Sequence, residues 1–238
     1  MTRYSVLLVL AGAAVLLVFG IWPWLDLWAT GFFYDPERGF PLAQMPLLQE
    51  LRQQIWNLSL LPFALALPAV LLGLVLRRAS ILWVATRVWG FVAALYLLGP
   101  GLLVNALLKE HWGRARPADI VEFGGSAQFT PAWLPTNQCV SNCSFVSGEG
   151  AAVVALAISV LVVLSQVAPQ RRLLRRIAEA LLAGIVLLGA GMRVTGGRHF
   201  LSDTLMAAVL VALIAALLWR VLAPRAPIAP AADQDRQR

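Results

Sequence analysis

The sequence predicts an all-α protein, a bundle of six transmembrane helices. Of its 238 residues, 60% are hydrophobic and 13% are charged. The apolar residues also gather into long runs with few charges, of about the 20 residues that a helix needs to cross a bilayer. We therefore expect residues 1–222 to form a single polytopic membrane domain.

Six apolar runs account for the predicted spans. They lie at residues 5–24, 56–76, 88–108, 148–167, 178–193 and 203–221. The first run has the length of a signal peptide, but Trp22, Pro23 and Trp24 follow it where a small-residue cleavage site would stand, so we expect it to remain as a span. The Pro- and Ala-rich tail, residues 223–238, is predicted to be disordered and cytoplasmic.

The distribution of basic residues predicts the orientation. Arginines cluster between apolar runs, at Arg77 and Arg78 and again at residues 171–176. Short cytoplasmic loops of inner-membrane proteins carry such an excess, so we expect a bacterial inner-membrane protein with both termini in the cytoplasm. The periplasmic loops would be 25–55, 109–147 and 194–202. The formal charge of +7 fits this pattern better than nucleic-acid binding, because no basic stretch alternates with aromatic residues in a soluble segment.

The two cysteines, Cys139 and Cys143, lie in one predicted periplasmic loop. In an oxidising compartment a disulfide between them is plausible. No metal site is expected, because the two histidines, His111 and His199, are not at zinc-ligand spacing from the cysteines.

Three polar clusters fall on the predicted periplasmic side. The first, "KEHWGRARP", follows the third span and contains Lys109, the only lysine, and Arg116. These cations would either cap a helix end or bind phosphate, which arginine holds with two parallel hydrogen bonds. The second cluster, Ser144 to Glu149, opens the fourth span. Free N–H groups at a helix N-terminus bind anions, although an ordinary serine cap explains these residues equally well.

The third cluster, "RVTGGRHFLSD", contains Arg193, His199 and Asp203. The four-residue offset puts Asp203 on the helical face of His199, where a carboxylate could hold the imidazole in one tautomer. Alone, it would read as a surface histidine beside a capping aspartate. Together the clusters supply what phosphoryl transfer needs, namely charge clamps, a nucleophile and a proton source.

These clusters resemble the three motifs of the type 2 phosphatidic acid phosphatases, the PAP2 superfamily. The first motif is Lys, six residues, Arg-Pro, and the third is Arg, five residues, His, three residues, Asp. Both are matched in full, by Lys109, Arg116, Pro117, Arg193, His199 and Asp203. The second motif, Pro-Ser-Gly-His, is matched in part by "VSGE", Val146 to Glu149.

The resemblance implies a membrane lipid phosphatase that needs no metal or other cofactor and acts on a phosphorylated membrane lipid at the periplasmic face. His199 would attack phosphorus and form a phosphohistidine, oriented by Asp203. The phosphate would be held by Lys109, Arg116, Ser147, Gly148 and Arg193. The "FGG…CSFVSGE" context is similar to the branch that includes lipid A phosphatases, and loop 118–143 is expected to select the substrate. Alternatives are an undecaprenyl pyrophosphate phosphatase, a lipid-to-lipid phosphotransferase and a lipid-phosphate-binding protein without turnover.

The family's second-motif histidine, its proposed general acid, is replaced here by Glu149. Two hypotheses follow for the acid: either Glu149 itself, protonated when phosphate is bound, or His111, with Glu149 orienting it or the substrate. A transporter or channel is a further alternative, because charges within membranes mark transport pathways. The charges here lie at span ends on one side, which favours a surface-facing site.

Overall fold

The computed structural model describes residues 3–222, with the side chain of Tyr4 omitted; the predicted tail lies outside this range. The regular secondary structure of the described chain is all helical except for one short β-hairpin, and the longest loop lies within residues 112–147. The helices are α1 Arg3–Ile21, α2 Trp24–Gly31, α3 Pro46–Val75, α4 Thr86–Tyr96, α5 Lys109–His111, α6 Gly148–Val167, α7 Arg172–Thr195 and α8 Leu201–Leu222. A π-helical segment, Leu97–Leu108, joins α4 to α5, and the hairpin pairs β1 Ser80–Ile81 with β2 Val84–Ala85. Single 3-10 turns lie at Pro41–Gln44, Pro117–Asp119 and Val121–Phe123.

The predicted all-α membrane bundle is confirmed. Five helical stretches are long and apolar enough to span a bilayer: α3, the continuous Thr86–His111, α6, α7 and α8. The number rises to six if the pair α1 and α2, which is bent by 87°, counts as one span. Two predicted starts were late. Helix α3 begins at Pro46 rather than 56 and α7 at Arg172 rather than 178, because their first turns are polar and carry no hydropathy signal.

Helix α2 was predicted as part of an interfacial loop. Pro23 precedes it, and proline disfavours continuation of a straight helix, so the chain turns sharply after α1. The eight residues of α2 contact α7 and α8 and bury Asp26 and Thr30. Because of this turn, the Asp26 carboxylate of the N-terminal region is buried in the bundle.

The π-helical segment lies where Pro100 interrupts the third span. Proline has no N–H to donate, and π-helical geometry accommodates such a defect and frequently occurs at functional sites. The Asn105 side-chain amide donates to the Pro100 carbonyl oxygen at 2.7 Å. The Asn105 side chain also lies near the start of α6 and near Lys109, because both side chains border Gly148.

Helix α6 is the centre of the bundle and packs against α3, α4, the π segment, α7 and α8. Most side chains on its buried face are small, which allows neighbouring backbones to approach closely. The buried residues are Gly148, Gly150, Ala151, Ala152, Val153, Ala155, Leu156 and Ser159. Because successive spans alternate in direction, the starts of α3, α6 and α8 meet the ends of α5 and α7 at one end of the bundle. The arginine-rich connections at Arg77 and Arg171 lie at the other end.

Candidate active site

The helix ends that meet at one end of the bundle enclose a cavity of about 670 Å³. Its wall is strongly basic, with six cationic side chains: Arg38, Arg52, Lys109, Arg116, Arg193 and Arg198. Glu149 is the one carboxylate among the lining residues that the structure describes. Such an excess of positive charge favours an anionic occupant.

The start of α6 forms one wall of this site. Ser147 is its N-cap and accepts a hydrogen bond from the Gly150 backbone N–H at 3.1 Å. Ser147 is fully buried, so its hydroxyl is engaged within the helix end rather than lining the cavity. Gly148 lies directly beneath Lys109, because a methyl group at its Cα would stand 3.6 Å from the ammonium nitrogen and 2.9 Å from Asn105 Oδ1.

Replacing Gly148 with alanine is expected to weaken substrate binding. The added methyl would lie in the space between the helix end and Lys109 and keep a phosphate oxygen from one backbone N–H. We therefore expect kcat/KM to fall about tenfold, as for one lost hydrogen bond to a charged group. The thermal midpoint should change little, because the atom nearest the methyl, Asn105 Oδ1, ends a side chain that can shift, and because alanine favours a helix. Gly184→Ala is the matched control, because nothing lies within 4 Å of a methyl group there. Equal kcat/KM for the two variants would show that Gly148 is not at the binding surface.

Arg193 and Glu149 face each other across the cavity wall. Arg193 Nη1 lies 3.3 Å from Glu149 Oε1, and Arg52 Nη1 from α3 lies 2.8 Å from the same oxygen. Arg193 is 9% exposed, and its Nε is a buried donor without a hydrogen-bond partner among the described residues. The Nε–H of Arg193 can therefore still donate to an acceptor oxygen.

A short loop, residues 139–144, carries the contacts that position the site. The Asn142 carbonyl oxygen accepts from Arg116 Nη2 at 2.6 Å and Nε at 3.2 Å. The Cys143 backbone N–H donates to the Lys109 carbonyl oxygen at 2.9 Å. A disulfide joins Cys139 to Cys143, so the loop is closed immediately beside these contacts.

Reducing this disulfide is expected to lower turnover. Once the loop opens, the carbonyl groups of Asn142 and Ser144 are less well fixed, and kcat should fall roughly 10- to 100-fold, as for a small displacement of reacting groups. The measurement is lipid phosphate release before and after treatment with dithiothreitol. The double variant Cys139→Ser/Cys143→Ser should start at the lower rate and not respond to the reductant. A reduced wild type that keeps its full rate would contradict this.

His199 is buried between α7 and α8, with 1% of its surface exposed. Its Nδ1 lies 2.7 Å from the Ser144 carbonyl oxygen. Since a carbonyl can only accept, Nδ1 carries the proton and Nε2 carries the lone pair. Burial, followed by the charges of Arg193, Lys109 and Arg116, lowers the pKa of His199 well below its ordinary value. The imidazole therefore stays neutral, and nucleophilic, at pH values where an exposed histidine is half protonated.

Asp203 does not hydrogen bond the imidazole as the resemblance implied. Its Oδ2 lies 3.9 Å from His199 Nδ1, beyond hydrogen-bond distance. This oxygen instead accepts from the Ser144 hydroxyl at 2.5 Å and from the Phe200 backbone N–H at 2.9 Å. Asp203 thus holds the two backbone segments on either side of His199, and the Ser144 carbonyl holds the ring.

The sequence did not single out a buried ion network behind His199. Arg114 is fully buried and lies 2.5 Å from Asp203 Oδ1 and 2.8 Å from Asp26 Oδ2. Asp26 also accepts from the Ser202 backbone N–H at 2.9 Å. The Arg114 guanidinium stacks 4.2 Å above the centre of the Phe200 ring. The sequence feature that could have pointed to this network is the position of Arg114 within the first polar cluster, "KEHWGRARP".

The structure brings most of the predicted site residues together. Lys109, Arg116, Glu149 and Arg193 line the cavity, while His199 and Asp203 are buried behind it. His111 is exposed and is not among the lining residues. Three residues of the predicted specificity loop, Ala118, Phe123 and Asn142, lie in the cavity wall. Within residues 3–222, no group of three or more His, Cys, Asp or Glu side chains is placed to hold a metal ion.

The fold and the site define a multi-pass membrane protein with a cation-lined cavity at one end of its helical bundle. The sequence profile of the PAP2 superfamily matches residues 89–226, and the chain belongs to this superfamily.

The chain is also similar to individual members. It is 46% identical over 110 residues to a lipid A 4'-phosphatase of Rhizobium leguminosarum, covering 46% of this chain and 44% of the relative. It is 34% identical over 122 residues to a lipid A 4'-phosphatase of Francisella tularensis subsp. novicida, covering 51% and 52%. The chain spans about half the length of the curated relatives it matches.

A solved structure shares the fold. The crystal structure of a transmembrane PAP2 type phosphatidylglycerolphosphate phosphatase from Bacillus subtilis superposes with a TM-score of 0.57 and is 20% identical. The match covers 92% of this chain and 96% of that one. It extends over the N-terminal helices, which lie outside residues 89–226.

Proposed function

We propose that this protein is a membrane lipid phosphatase that acts through a phosphohistidine on His199. The observation that carries the proposal is the unpaired, buried Nε of Arg193, which lies in a cavity wall with Lys109 and Arg116. A buried donor without a partner costs about 1–3 kcal/mol. A phosphate oxygen would satisfy it, and a second oxygen would complete a two-pronged contact with the same guanidinium.

The chemistry follows from the tautomer of His199. With its proton on Nδ1, the lone pair of Nε2 attacks phosphorus, and the bond from phosphorus to the lipid oxygen breaks. Lys109, Arg116 and Arg193 stabilise the charge on the three remaining phosphoryl oxygens. Water then attacks the phosphohistidine and gives a proton to the group that protonated the lipid oxygen, which releases phosphate and returns neutral His199.

We assign Glu149 as the donor of the proton to the departing lipid oxygen. It is the one carboxyl or imidazole group among the described residues that line the cavity, whereas His111 lies outside it. The charge of bound phosphate would favour the protonated form of the carboxyl.

Replacing Glu149 with glutamine is expected to lower kcat on a lipid monoester by roughly 100-fold or more, the usual contribution of general acid catalysis. On p-nitrophenyl phosphate, whose phenolate leaves without a proton, the same variant should keep most of its rate. Glu179→Gln, at an exposed ion pair on α7, is the control. A variant with near-normal lipid turnover would remove Glu149 as the acid, and His111→Ala would then be the next substitution to measure.

A lipid A phosphate is the substrate class we propose. Support comes from relatives that are named lipid A 4'-phosphatases and are 34% to 46% identical over the matched regions. A cavity of about 670 Å³ also has room for more than a phosphate group.

We further propose that the cavity opens to the periplasm of a bacterial inner membrane. Two features support this orientation. The arginine-rich connections lie at the opposite end of the bundle, as expected for a cytoplasmic face. The disulfide lies at the cavity end, and disulfides persist in oxidising compartments.

The experiment is a phosphate-release assay of purified protein in detergent. The panel contains lipid A, undecaprenyl pyrophosphate, phosphatidate and phosphatidylglycerol phosphate, with His199→Ala as the inactive control. We expect release from lipid A that the substitution abolishes. Preference for another lipid would replace the substrate, and no release from any of the four would contradict the proposed activity.

A further inference from the structure

We propose that Arg52 is a fourth phosphate-binding cation. In the absence of substrate, Glu149 occupies the anion position between Arg52 and Arg193, and substrate phosphate displaces the carboxylate from this position. The inference rests on the proposed function and extends it. Arg52 lies on α3, outside the three sequence motifs and outside residues 89–226.

The first argument is the shared oxygen. Arg52 and Arg193 come from different helices, α3 and α7, and both direct Nη1 at the single atom Glu149 Oε1. Two guanidinium groups that converge on one carboxylate oxygen can converge equally on one phosphoryl oxygen, which accepts hydrogen bonds in the same way. Glu149 thus stands in for an anionic oxygen of the substrate.

The second argument is that the carboxylate fills this position incompletely. While Glu149 contacts Arg193 Nη1 at 3.3 Å, Arg193 Nε has no hydrogen-bond partner among the described residues. A phosphate has more acceptor oxygens than a carboxylate, so it can satisfy the edge of Arg193 that Nε shares with Nη2 and still leave an oxygen for Arg52. Phosphate is therefore the better match for this pair of arginines.

The third argument is charge. The cavity wall has six cations and one carboxylate among its described residues. Entry of a phosphate dianion beside Glu149 would place like charges together, which favours movement of the carboxylate away from the two arginines. Once displaced, Glu149 takes up a proton from solvent, which the negative charge of the bound phosphate favours, and it then donates that proton to the departing lipid oxygen. Substrate binding and activation of the acid would thus be coupled.

The test measures binding, so that it is independent of turnover. Affinity for inorganic phosphate is determined by calorimetry on purified protein in detergent at fixed ionic strength. Arg52→Gln should weaken phosphate binding roughly 10- to 100-fold, the range for a lost hydrogen bond to a charged group. Glu149→Gln should strengthen it several-fold, because no carboxylate then competes. In the double variant Arg52→Gln/Glu149→Gln, the gain in phosphate affinity that Glu149→Gln gives should be smaller, because only Arg193 is then freed from the carboxylate.

Arg38→Gln is the matched control, because Arg38 lines the same cavity but pairs with Asp35 at 2.8 Å. Arg52→Lys should give an intermediate affinity, because lysine restores the positive charge but not the paired N–H donors of the guanidinium. Unchanged phosphate affinity in Arg52→Gln, or weaker binding in Glu149→Gln, would overturn the inference. Either result leaves the proposed activity standing, since that activity is decided by phosphate release from lipids.

Discussion

Substitution of Arg114 by methionine is expected to destabilise the protein strongly and to abolish its activity. Arg114 lies between Asp26 and Asp203, and all three side chains are at most 1% exposed. Removing the cation leaves two buried carboxylates facing each other without compensation. Breaking a buried ion pair from one side typically costs about 3–5 kcal/mol. The measurement is the thermal midpoint of the detergent-solubilised protein, together with phosphate release.

Two further variants separate this effect from a general loss of charge. Arg38→Met breaks the exposed pair with Asp35 and should shift the midpoint little, because surface ion pairs contribute at most about 1 kcal/mol. Arg114→Met combined with Asp26→Leu should recover part of the lost stability, because only one carboxylate then remains unpaired. If Arg114→Met melts at the wild-type temperature, the ion network does not hold this end of the bundle together.

Replacing His199 with glutamine is expected to abolish turnover while phosphate still binds. Glutamine has no lone pair that can attack phosphorus, so kcat should fall by at least about 1,000-fold, in line with the loss of other catalytic nucleophiles. Lys109, Arg116 and Arg193 remain in place, so the affinity for inorganic phosphate should stay within a few-fold of the wild type.

This separation of binding from turnover would identify His199 as the nucleophile rather than as a structural residue. The amide of glutamine can still donate to the Ser144 carbonyl, so the local fold should be kept. A variant that loses phosphate binding as completely as turnover would point to a structural role. A variant that retains turnover would require another nucleophile.

The sequence was sufficient to predict the spans, three of the six cations in the cavity wall and its one carboxylate among the described residues. Apolar runs define membrane helices directly, and α6 begins and ends at the predicted residues, 148 and 167. Lys109, Arg116 and Arg193 were predicted together because each follows or ends a span on the same side. Their meeting in one cavity follows from the alternation of helix direction.

The contacts that position the site could not be predicted in the same way. Asp26 and Arg114 are 88 residues apart, and Arg52 and Glu149 are 97 apart, so no local pattern joins them. These pairs depend on the turn before α2 and on the polar first turns of α3, and neither segment has a hydropathy signal. The Ser144 carbonyl is a backbone group, and its contact with His199 has no signature in residue type.

The most direct test of the account is to locate the phosphoryl group on the enzyme during turnover. Wild-type protein is mixed with a phosphorylated lipid, quenched under cold alkaline conditions that preserve phosphohistidine, digested and analysed by mass spectrometry. We predict a single phosphorylated residue, His199, that disappears when the substrate is exhausted and is absent from His199→Gln. Phosphate release without phosphorylation of His199, or with the phosphoryl group on another side chain, would contradict the account.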